Sequence, residues 1–481
     1  MTRKFITNLA LLLFLNLLVK PFWIFGIDRT VQNVTGASEY GFYFSLFSFS
    51  ILLNIILDAG ITNFNNRAIA QNTKLISRYF SNIITIKLLL ALVYVVVVVI
   101  AGLLIGYSYR QFYLLAFLVF NQFLASFILY LRSNISGLHH FKTDSLLSVL
   151  DRIIMIILCS LLLWGNIFNQ TMKIEWFVYA QTISYSLTAA IAFVLVYSKT
   201  EWFRPRFRKT YLLLILRQSY PFALLALIMT FHNRIDSVML ERMLPNGEEQ
   251  AGIYAQGYRI MDAANNFALL FAGLLLPIFS RMIKEKQPVN TLVKFAVVLL
   301  IVPTISLTIG SIFYRQEIMD WLYWNHAAQS SSVFAILMTS FIGIAGSYIY
   351  GTLLTANGSL KKLNIIAGFT LVLNLLLNIL LIPHYQVLGS AIACLITQVF
   401  SFTAQLIIAY RLFQFRLKVQ TLWRFLIFMA TAIFTGIFTT QTGLPWMVGF
   451  MLIIIVSLAT AVAVKLFHLR ALYAIIRYGE N

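Results

Sequence analysis

Residues 80–106 read FSNIITIKLLLALVYVVVVVIAGLLIG and contain one charged side chain, Lys87. The hydrocarbon core of a bilayer is about 30 Å thick, and a helix needs about 20 apolar residues to cross it. The stretch has that length and that composition. It is therefore predicted to be a membrane-spanning α-helix.

Apolar runs of similar length recur along the whole chain. Of its 481 residues, 60% are hydrophobic and 11% are charged. A soluble protein of this size could not bury so much apolar surface, because the buried fraction grows slowly with chain length. The composition predicts an all-α polytopic membrane protein with about fourteen transmembrane helices. We place the spans near 5–31, 40–63, 80–106, 112–137, 146–165, 174–198, 215–243, 253–280, 291–313, 330–357, 364–382, 388–412, 421–442 and 445–467.

The formal net charge is +20, and the distribution of the basic residues along the chain is typical of a membrane protein. Lys and Arg lie in short alternate connections, most densely in 199–209, while the opposite connections hold Glu39, Glu175 and Glu248. Because basic connections stay in the cytoplasm, both termini are predicted to be cytoplasmic. The first apolar run continues to Ile27 without a small-residue cleavage site, which predicts a retained span. Nucleic-acid binders gather their basic residues on a soluble surface, so we predict no nucleic-acid partner.

The chain is predicted to contain two six-helix lobes. The most basic connection follows the sixth span, and the motifs EYGFY at 39–43 and AGIY at 251–254 open the second and eighth spans. An offset of six spans keeps both copies in one orientation, as in parallel repeats. The predicted organisation is an N-lobe (1–198), a basic linker (199–214), a C-lobe (215–412), and two C-terminal spans with a cytoplasmic tail (413–481).

Several spans contain ionisable side chains. Such a group at the bilayer centre costs about 2.5–3.5 kcal/mol on insertion scales, so it tends to face a partner or a water-filled cavity. We predict that Lys20, Arg234, Arg259, Asp236 and Asp262 line a substrate path. For Lys20 the alternative is a structural ion pair. Arg259 and Asp262 share a helical face, so they could instead neutralise each other. Three of the five are basic, which favours an anionic substrate or an anionic head group.

The second span carries polar residues at helical spacing. Asn54, Asp58, Thr62 and Asn65 are four, four and three residues apart, which predicts one shared helical face, and Arg67 follows. We predict that Asp58 and Arg67 belong to a gate or to the inner part of the path. Hydrogen bonding between helices is the alternative interpretation.

Other charged groups lie nearer the ends of spans. Asp28 and Arg29 form an outer-end pair on the first span. Lys87 lies in the inner part of the third span and is expected to extend toward the cytoplasm.

The sequence shows no motif of an enzyme active site. It has no phosphate-binding glycine loop, nucleophile elbow or HExxH motif, and no cluster of His, Cys and carboxylates has metal-ligand spacing. Cys159 and Cys394 lie inside apolar runs, so a disulfide framework is not expected. We predict no catalytic residue, no metal and no cofactor.

Four stretches resemble one known group of transporters. They are GASEYGFY at 36–43 followed by DAGI at 58–61 and NR at 66–67, RIDSVML at 234–240, AGIY at 251–254 with RI at 259–260, and NILLIP at 378–383 followed by GSAIA at 389–393. Together with the fourteen-span plan, they resemble the multidrug/oligosaccharidyl-lipid/polysaccharide (MOP) flippase superfamily, specifically its O-antigen and polysaccharide flippase branch. The resemblance covers essentially the whole chain.

The resemblance implies a V-shaped transporter in which spans 1–6 and 7–12 surround a central cavity. Similar proteins open a cationic cavity alternately to each side and flip undecaprenyl-pyrophosphate-linked glycans outward. Lys20 and Arg234 match positions where such proteins place basic cavity residues. Asp28 and Arg29 lie roughly where lipid II flippases have an oppositely charged pair, but in the reverse order.

We therefore expect a flippase for a polyprenyl-pyrophosphate-linked oligosaccharide in the cytoplasmic membrane of a bacterium, serving O-antigen or capsule assembly. Its expected partners are that lipid-linked substrate and the bilayer, and the resemblance adds a polysaccharide polymerase and a chain-length partner. The alternatives are a lipid II flippase and a cation-coupled multidrug antiporter, for which Asp58, Asp236 and Asp262 would supply acidic groups. A glycan polymerase or ligase is disfavoured, because such enzymes usually carry a large outer loop.

Overall fold

A computed structural model describes residues 14–16, 18–58, 60–72, 75–138, 140–165, 170–200, 209–415 and 419–466. Within these ranges the side chains at 63, 67, 68, 71, 75, 77–79 and 209–219 are left undescribed. The side chain of Arg67, linker residues 201–208 and the predicted cytoplasmic tail beyond 466 therefore lie outside the described part.

All regular elements of the described chain are helical. A π-helical turn (Phe22–Asp28) precedes the first α-helix and a 3-10 turn (Asn54–Leu57) follows it. In chain order the α-helices are α1 (Arg29–Leu52), α2 (Ile61–Gln71), α3 (Leu75–Ile105), α4 (Tyr109–Gly137), α5 (Phe141–Trp164), α6 (Ile174–Tyr197), α7 (Lys209–Met243), α8 (Gly247–Lys284), α9 (Asn290–Phe313), α10 (Arg315–Leu322), α11 (Ala327–Ala356), α12 (Leu360–Phe413), α13 (Val419–Gln441) and α14 (Trp446–Ala463).

Among the described residues, 11 helices are long and apolar enough to cross a membrane. One of them, α12, has 54 residues and turns at Gln386, where φ is 51° and ψ is −130°. It therefore contains two of the predicted spans. The first two predicted spans, each of which includes undescribed residues, are not among these 11. The prediction of an all-α polytopic membrane protein is confirmed.

The first two predicted spans are joined by a single non-helical residue. Gly36 has φ of 83° and ψ of 165°, a conformation that glycine adopts far more readily than other residues. Upstream, the π-helical turn Phe22–Asp28 begins directly after Pro21. Proline lacks an amide donor and clashes with the preceding turn, so local widening of the helix is a common response. The first segment is thus irregular immediately after Lys20.

The second predicted span is not one continuous helix. After α1 ends at Leu52, a 3-10 turn covers Asn54–Leu57, and Gly60 has φ of 88° before α2 begins. The prediction of one polar helical face from Asn54 to Asn65 is therefore wrong, because the 3-10 turn and the glycine change the rotation per residue. The break also frees main-chain carbonyl groups at membrane depth, and these need other donors.

The chain forms two compact units, 1–252 and 253–481. In the first unit α1 packs against α4 and α7, and α4 packs against α6. In the second unit α11 packs against α9 and α12. The C-terminal pair α13 and α14 also packs on α9, where the Ser457 hydroxyl donates to the Ser306 hydroxyl at 2.7 Å. The boundaries that we predicted for the lobes stay predictions.

The two glycine motifs that open the second and eighth predicted spans touch each other within the first unit. A Cβ atom on Gly41 would overlap the main chain of Glu248, and one on Gly252 would overlap the main chain of Ala37. The Gln32 amide also donates to the Gly252 carbonyl oxygen at 2.9 Å. The two similar motifs therefore lie where the backbone of α1 packs directly against the backbone of the first turns of α8.

We expect Gly252→Ala to lower the Tm of the purified protein in detergent. The added methyl group meets main-chain atoms that no side-chain rotation can move away, and overpacking of this kind costs about 1–3 kcal/mol. The matched control is Gly273→Ala on the same helix, where a Cβ would have no neighbour within 4 Å. Because alanine favours helix more than glycine does, that control should keep or raise the Tm. An equal fall in both variants would contradict the packing interpretation.

Candidate functional site

Lys20 faces protein rather than lipid. Phe14 and Leu18 are more than half exposed, at 62% and 59%, as lipid-facing side chains are. Lys20 is half-buried and, at about 100° per residue, lies on the far side of the same helix. Asn16 shares that far side and donates its amide to the Ser148 hydroxyl of α5 at 3.3 Å. The lysine is therefore directed toward the α5 side of the first unit.

The predicted outer-end pair lies where the π-helical turn meets α1. Asp28 is 2% exposed and accepts a hydrogen bond from the Tyr40 hydroxyl at 2.9 Å, while Arg29 is half-buried. This bond crosses the break at Gly36. It therefore ties the first two membrane segments together, which gives Asp28 a structural contact besides its predicted role.

Asp58 forms an ion pair with Lys87 of α3, with 3.0 Å between the carboxylate oxygen and Nζ. The lysine side chain is 2% exposed and the aspartate side chain 29% exposed. The expectation that Lys87 extends toward the cytoplasm is therefore wrong. The Thr62 hydroxyl and amide donate to the same carboxylate. Asp58 is thus held by α2 and α3 together.

Lys87 also bonds the broken second segment. Its ammonium group donates to the Leu57 carbonyl oxygen at 3.1 Å and to the Ser126 hydroxyl of α4 at 2.8 Å. The Ser126 hydroxyl in turn lies 3.2 Å from the Leu57 carbonyl oxygen. An ammonium group has three donors, and here they reach a carboxylate, a main-chain carbonyl and a hydroxyl. The helix break is therefore stabilised by side chains of two neighbouring helices.

The polar group of the seventh predicted span lies on α7 in the first unit. His232 and Asp236 are buried, at 8% and 2% exposed, whereas Arg234 is half-buried. His232 and Asp236 are four residues apart and share a helical face, and Arg234 projects from another. The helix therefore presents its acidic and basic groups on different sides. Their roles in binding stay predictions.

Arg259 and Asp262 lie on α8 in the second unit, and both are half-buried. Asn266 donates its side-chain amide to the Asp262 carbonyl oxygen at 2.7 Å. Next to Asp262, the Ser340 hydroxyl of α11 lies 3.5 Å from the Met261 sulfur of α8. This part of α8 is therefore a polar surface facing α11, and substrate contact by Arg259 and Asp262 stays a prediction.

Arg110, at the start of α4, joins two other segments, which was not predicted from the sequence. Its guanidinium group bonds both carboxylate oxygens of Glu39, at 3.0 and 2.6 Å, and one of Glu175 at 3.0 Å. It also stacks 4.6 Å above the Phe42 ring. These carboxylates belong to the connections that the charge pattern places outside the cell. One arginine therefore bridges α1, α4 and α6.

A second bridge next to it reaches the end of α7. Gln111 donates to the Glu241 carboxylate at 2.8 Å and accepts from Arg242 at 2.9 Å. The Arg242 guanidinium lies 4.3 Å above the Tyr107 ring. Burial, followed by the Glu241 charge, raises the pKa of the Tyr107 hydroxyl. The hydroxyl therefore stays protonated at neutral pH, and α4 and α7 are linked at this end.

Asp151 and Arg152 of α5 were also missed. They stand inside the predicted span 146–165, so the rule that singled out Lys20 would have found them. The ion pair between Lys87 and Asp58 could not be predicted in this way, because the two residues come from different segments of the chain.

No group of three or more His, Cys, Asp or Glu side chains that could hold a metal ion occurs in the described part of the chain. What the structure does show is a set of apolar helices with ionisable groups between them. Many membrane-length helices with such groups in protein surroundings are typical of a polytopic membrane transporter.

A model of the polysaccharide biosynthesis protein family matches residues 9–283, more than half of the chain. The chain belongs to that family and thereby to the MOP flippase superfamily, as the sequence resemblance predicted. No curated protein sequence matches the chain.

Solved structures share the fold. The lipid II flippase MurJ in an inward closed conformation aligns with a TM-score of 0.70 at 15% identity, over 94% of this chain and 98% of that one. A multidrug resistance transporter of the MATE family, facing inward, gives 0.60 at 16% identity, over 81% and 94%. A MOP superfamily transporter from Pyrococcus furiosus gives 0.59 at 17% identity, over 85% and 95%. At these identities the likeness establishes the fold alone.

We expect Lys87→Met and Asp58→Asn each to lower the Tm strongly. Removing one partner of a buried ion pair leaves the other uncompensated, which costs about 3–5 kcal/mol. The double variant Lys87→Met with Asp58→Asn leaves no isolated charge. It should therefore cost less than the sum of the single changes.

The measurement is a double-mutant cycle on Tm in detergent, with Lys142→Met, an exposed lysine on α5, as the control. Additive effects of the two substitutions would show that the pair is not coupled.

Proposed function

We propose that the protein flips a polyprenyl-pyrophosphate-linked oligosaccharide across the cytoplasmic (inner) membrane of a bacterium, for assembly of a surface polysaccharide such as O-antigen or capsule. Membership of the polysaccharide biosynthesis family and a fold shared with flippases and transporters support the proposal. The observation that carries it is Lys20, a cation deep in an apolar segment and directed away from lipid.

The main physical obstacle to transport is the negative charge of the pyrophosphate head group. A pyrophosphate cannot enter hydrocarbon without compensation, and ammonium and guanidinium groups bind phosphate through short charge-assisted hydrogen bonds. In this proposal Lys20 and Arg234 of the first unit contact the pyrophosphate, and Asp236 moderates the local positive charge. Arg259 and Asp262 of the second unit have the same proposed role. The polyprenyl chain stays in lipid throughout.

Transport requires no bond to be made or broken in the substrate. The proposal therefore assigns binding residues and no catalytic residue, and access to the two faces of the membrane alternates. Both termini are cytoplasmic in this arrangement, since the outer connections hold Glu39, Glu175 and Glu248. A polysaccharide polymerase and a chain-length partner would act on the exported product.

The two other functions make different demands on the same residues. A cation-coupled antiporter needs acidic groups that bind protons or organic cations, and Asp58 is instead paired with Lys87. A lipid II flippase also carries a pyrophosphate, so the same cations would serve it. Those two flippases differ in the glycan, and a transport assay with each lipid-linked glycan separates them.

We expect the double variant Lys20→Ala with Arg234→Ala to lose translocation while still inserting into the membrane. A hydrogen bond to a charged group contributes about 1.5–3 kcal/mol, so losing two should reduce transport by tenfold or more. The measurement is the amount of lipid-linked glycan that accumulates on the cytoplasmic side in cells that depend on the variant.

The matched control is Lys361→Ala with Lys362→Ala, which removes two exposed lysines at the start of α12. It changes the net charge by the same amount and should transport normally. If the Lys20 and Arg234 double variant is present in the membrane at normal abundance and transports normally, the proposal that these two residues bind the pyrophosphate is wrong.

A further inference from the structure

We propose that Arg424 of α13 and Lys465, which follows α14, form a binding site for the phosphate of an anionic phospholipid. The site belongs to the second unit and lies on the proposed cytoplasmic side of the membrane. It goes beyond the proposed function, because its ligand is a lipid of the surrounding bilayer and not the transported substrate. A stretch of chain without acidic residues, a contact between two helix ends and the apolar surface beside it carry the inference.

The C-terminal part of the chain has no acidic side chains with which to neutralise its basic ones. Asp320 is the last carboxylate before Glu480, and every charged side chain in 321–479 is Lys or Arg. Basic connections set the orientation of a membrane protein, and acidic residues in them have little influence on it. Topology therefore accounts for the Lys and Arg residues but not for the absence of Asp and Glu.

Arg424 and Lys465 lie together at one end of the C-terminal helix pair. α13 begins at Val419, α14 ends at Ala463, and the two helices pack against each other. Arg424, in the second turn of α13, donates from Nη1 to the Lys465 carbonyl oxygen at 3.0 Å. The ammonium group of Lys465 belongs to the same residue that accepts this bond. Two cations from different segments can therefore reach one phosphate group.

The hydrogen bond places the arginine without neutralising it. The C-terminal end of a helix carries a partial negative charge, so a guanidinium group next to the end of α14 is favourable. A guanidinium group has five donors, and this bond uses one of them. No ion pair joins Arg424 or Lys465 to a carboxylate among the residues that the structure describes. Donors on both cations therefore remain for an anion.

Lipid-facing side chains flank the two cations. Leu422 and Trp423 at the start of α13 are 58% and 62% exposed, and Val462 at the end of α14 is 48% exposed. Tryptophan is enriched at the level of the lipid head groups, which places Arg424 at that depth. A ligand at this point meets cations at the helix ends and apolar surface along the helices. A phospholipid has both an anionic head and acyl chains, whereas an acidic peptide or a free phosphate ion matches only the charge.

The site is expected to select lipids by the charge of the head group. Basic pockets between helix ends on the cytoplasmic side bind anionic head groups, and both guanidinium and ammonium groups form charge-assisted hydrogen bonds to phosphate. Phosphatidylglycerol presents its phosphate without a counter-charge. Phosphatidylethanolamine carries its own ammonium group, which the two protein cations repel. A bound anionic lipid would also bridge the ends of α13 and α14.

The test measures lipid binding to the full-length protein in detergent by native mass spectrometry, with phosphatidylglycerol and phosphatidylethanolamine of identical acyl chains as probes. We expect the wild-type protein to bind phosphatidylglycerol about tenfold or more tightly. Lys465→Asn should reduce this preference about fivefold. Asparagine tolerates the φ of 58° at this position, and the carbonyl that accepts from Arg424 is kept. Arg424→Gln should reduce the preference further, since it removes the paired donors of the guanidinium group.

The matched control is Lys361→Gln with Lys362→Gln at the exposed start of α12. It removes two cations from the same acid-free stretch and should leave the preference unchanged. Equal binding of both phospholipids by the wild-type protein would overturn the proposal, as would a preference that neither Lys465→Asn nor Arg424→Gln reduces. An equal loss in the control would show a general effect of net charge and no site. If Arg424→Gln does not fold, Lys465→Asn decides alone.

The lipid that co-purifies with the protein identifies the natural occupant. We expect the wild-type protein to retain an anionic phospholipid after extraction from the membrane, and Lys465→Asn to lose it. Retention of a polyprenyl phosphate that Lys465→Asn loses would show that the site belongs to the transported lipid, and it would overturn the choice of a phospholipid.

Discussion

The ammonium group of Lys87 makes a broken helix compatible with the membrane. A bilayer core has no water to bond free main-chain groups, so an interruption inside a span must be satisfied by protein. Here the interruption at 53–60 exposes the Leu57 carbonyl, and Lys87 bonds it while neutralising Asp58. Three segments therefore depend on one side chain. Without it, α2, α3 and α4 would lose their common polar contact.

Two kinds of intramembrane charge can be told apart by their surroundings. Lys87 is fully enclosed and faces a carboxylate at 3.0 Å, which is the environment of a structural ion pair. Arg152 keeps 31% of its side chain exposed, lies 3.6 Å from the Asp151 carboxylate and contacts the rings of Trp23 and Tyr185. The energetic cost of placing a charge in the bilayer is similar for Lys87 and Arg152, so that cost alone does not distinguish them. The surroundings of the two residues differ in burial and in the kind of partner, which the insertion cost does not reveal.

Hydropathy predicted the helices closely but gave no information about how they pair. The span placed at 80–106 corresponds to the apolar helix Phe80–Ile105, because length and apolar content alone determine such a segment. The break at 53–60 was not predicted, because the spacing of Asn54, Asp58, Thr62 and Asn65 also fits a continuous helix, and Gly60 was not weighed as a possible helix breaker. Lys87 was misjudged for a related reason. Its direction depends on Asp58 and Ser126, which come from other segments.

The candidate site shows the same division. Lys20 could be singled out because a lysine within an apolar run is conspicuous in a single segment. Its direction toward α5 rests on Asn16 and Trp23, which contact Ser148 and Arg152 of α5 through tertiary packing. Glycine spacing gave partial information, since the motifs at 39–43 and 251–254 were recognised as an echo. Their direct backbone contact was not predicted, because a repeat in sequence does not require its copies to touch.

The turn at Gln386 limits how far apart two membrane segments can lie. The two halves of α12 are separated by that one non-helical residue, and the turn between them is the short exposed stretch 383–386. A connection of four residues spans at most about 14 Å even when it is fully extended. The ends of the two halves at this turn must therefore stay neighbours in every conformation of the protein.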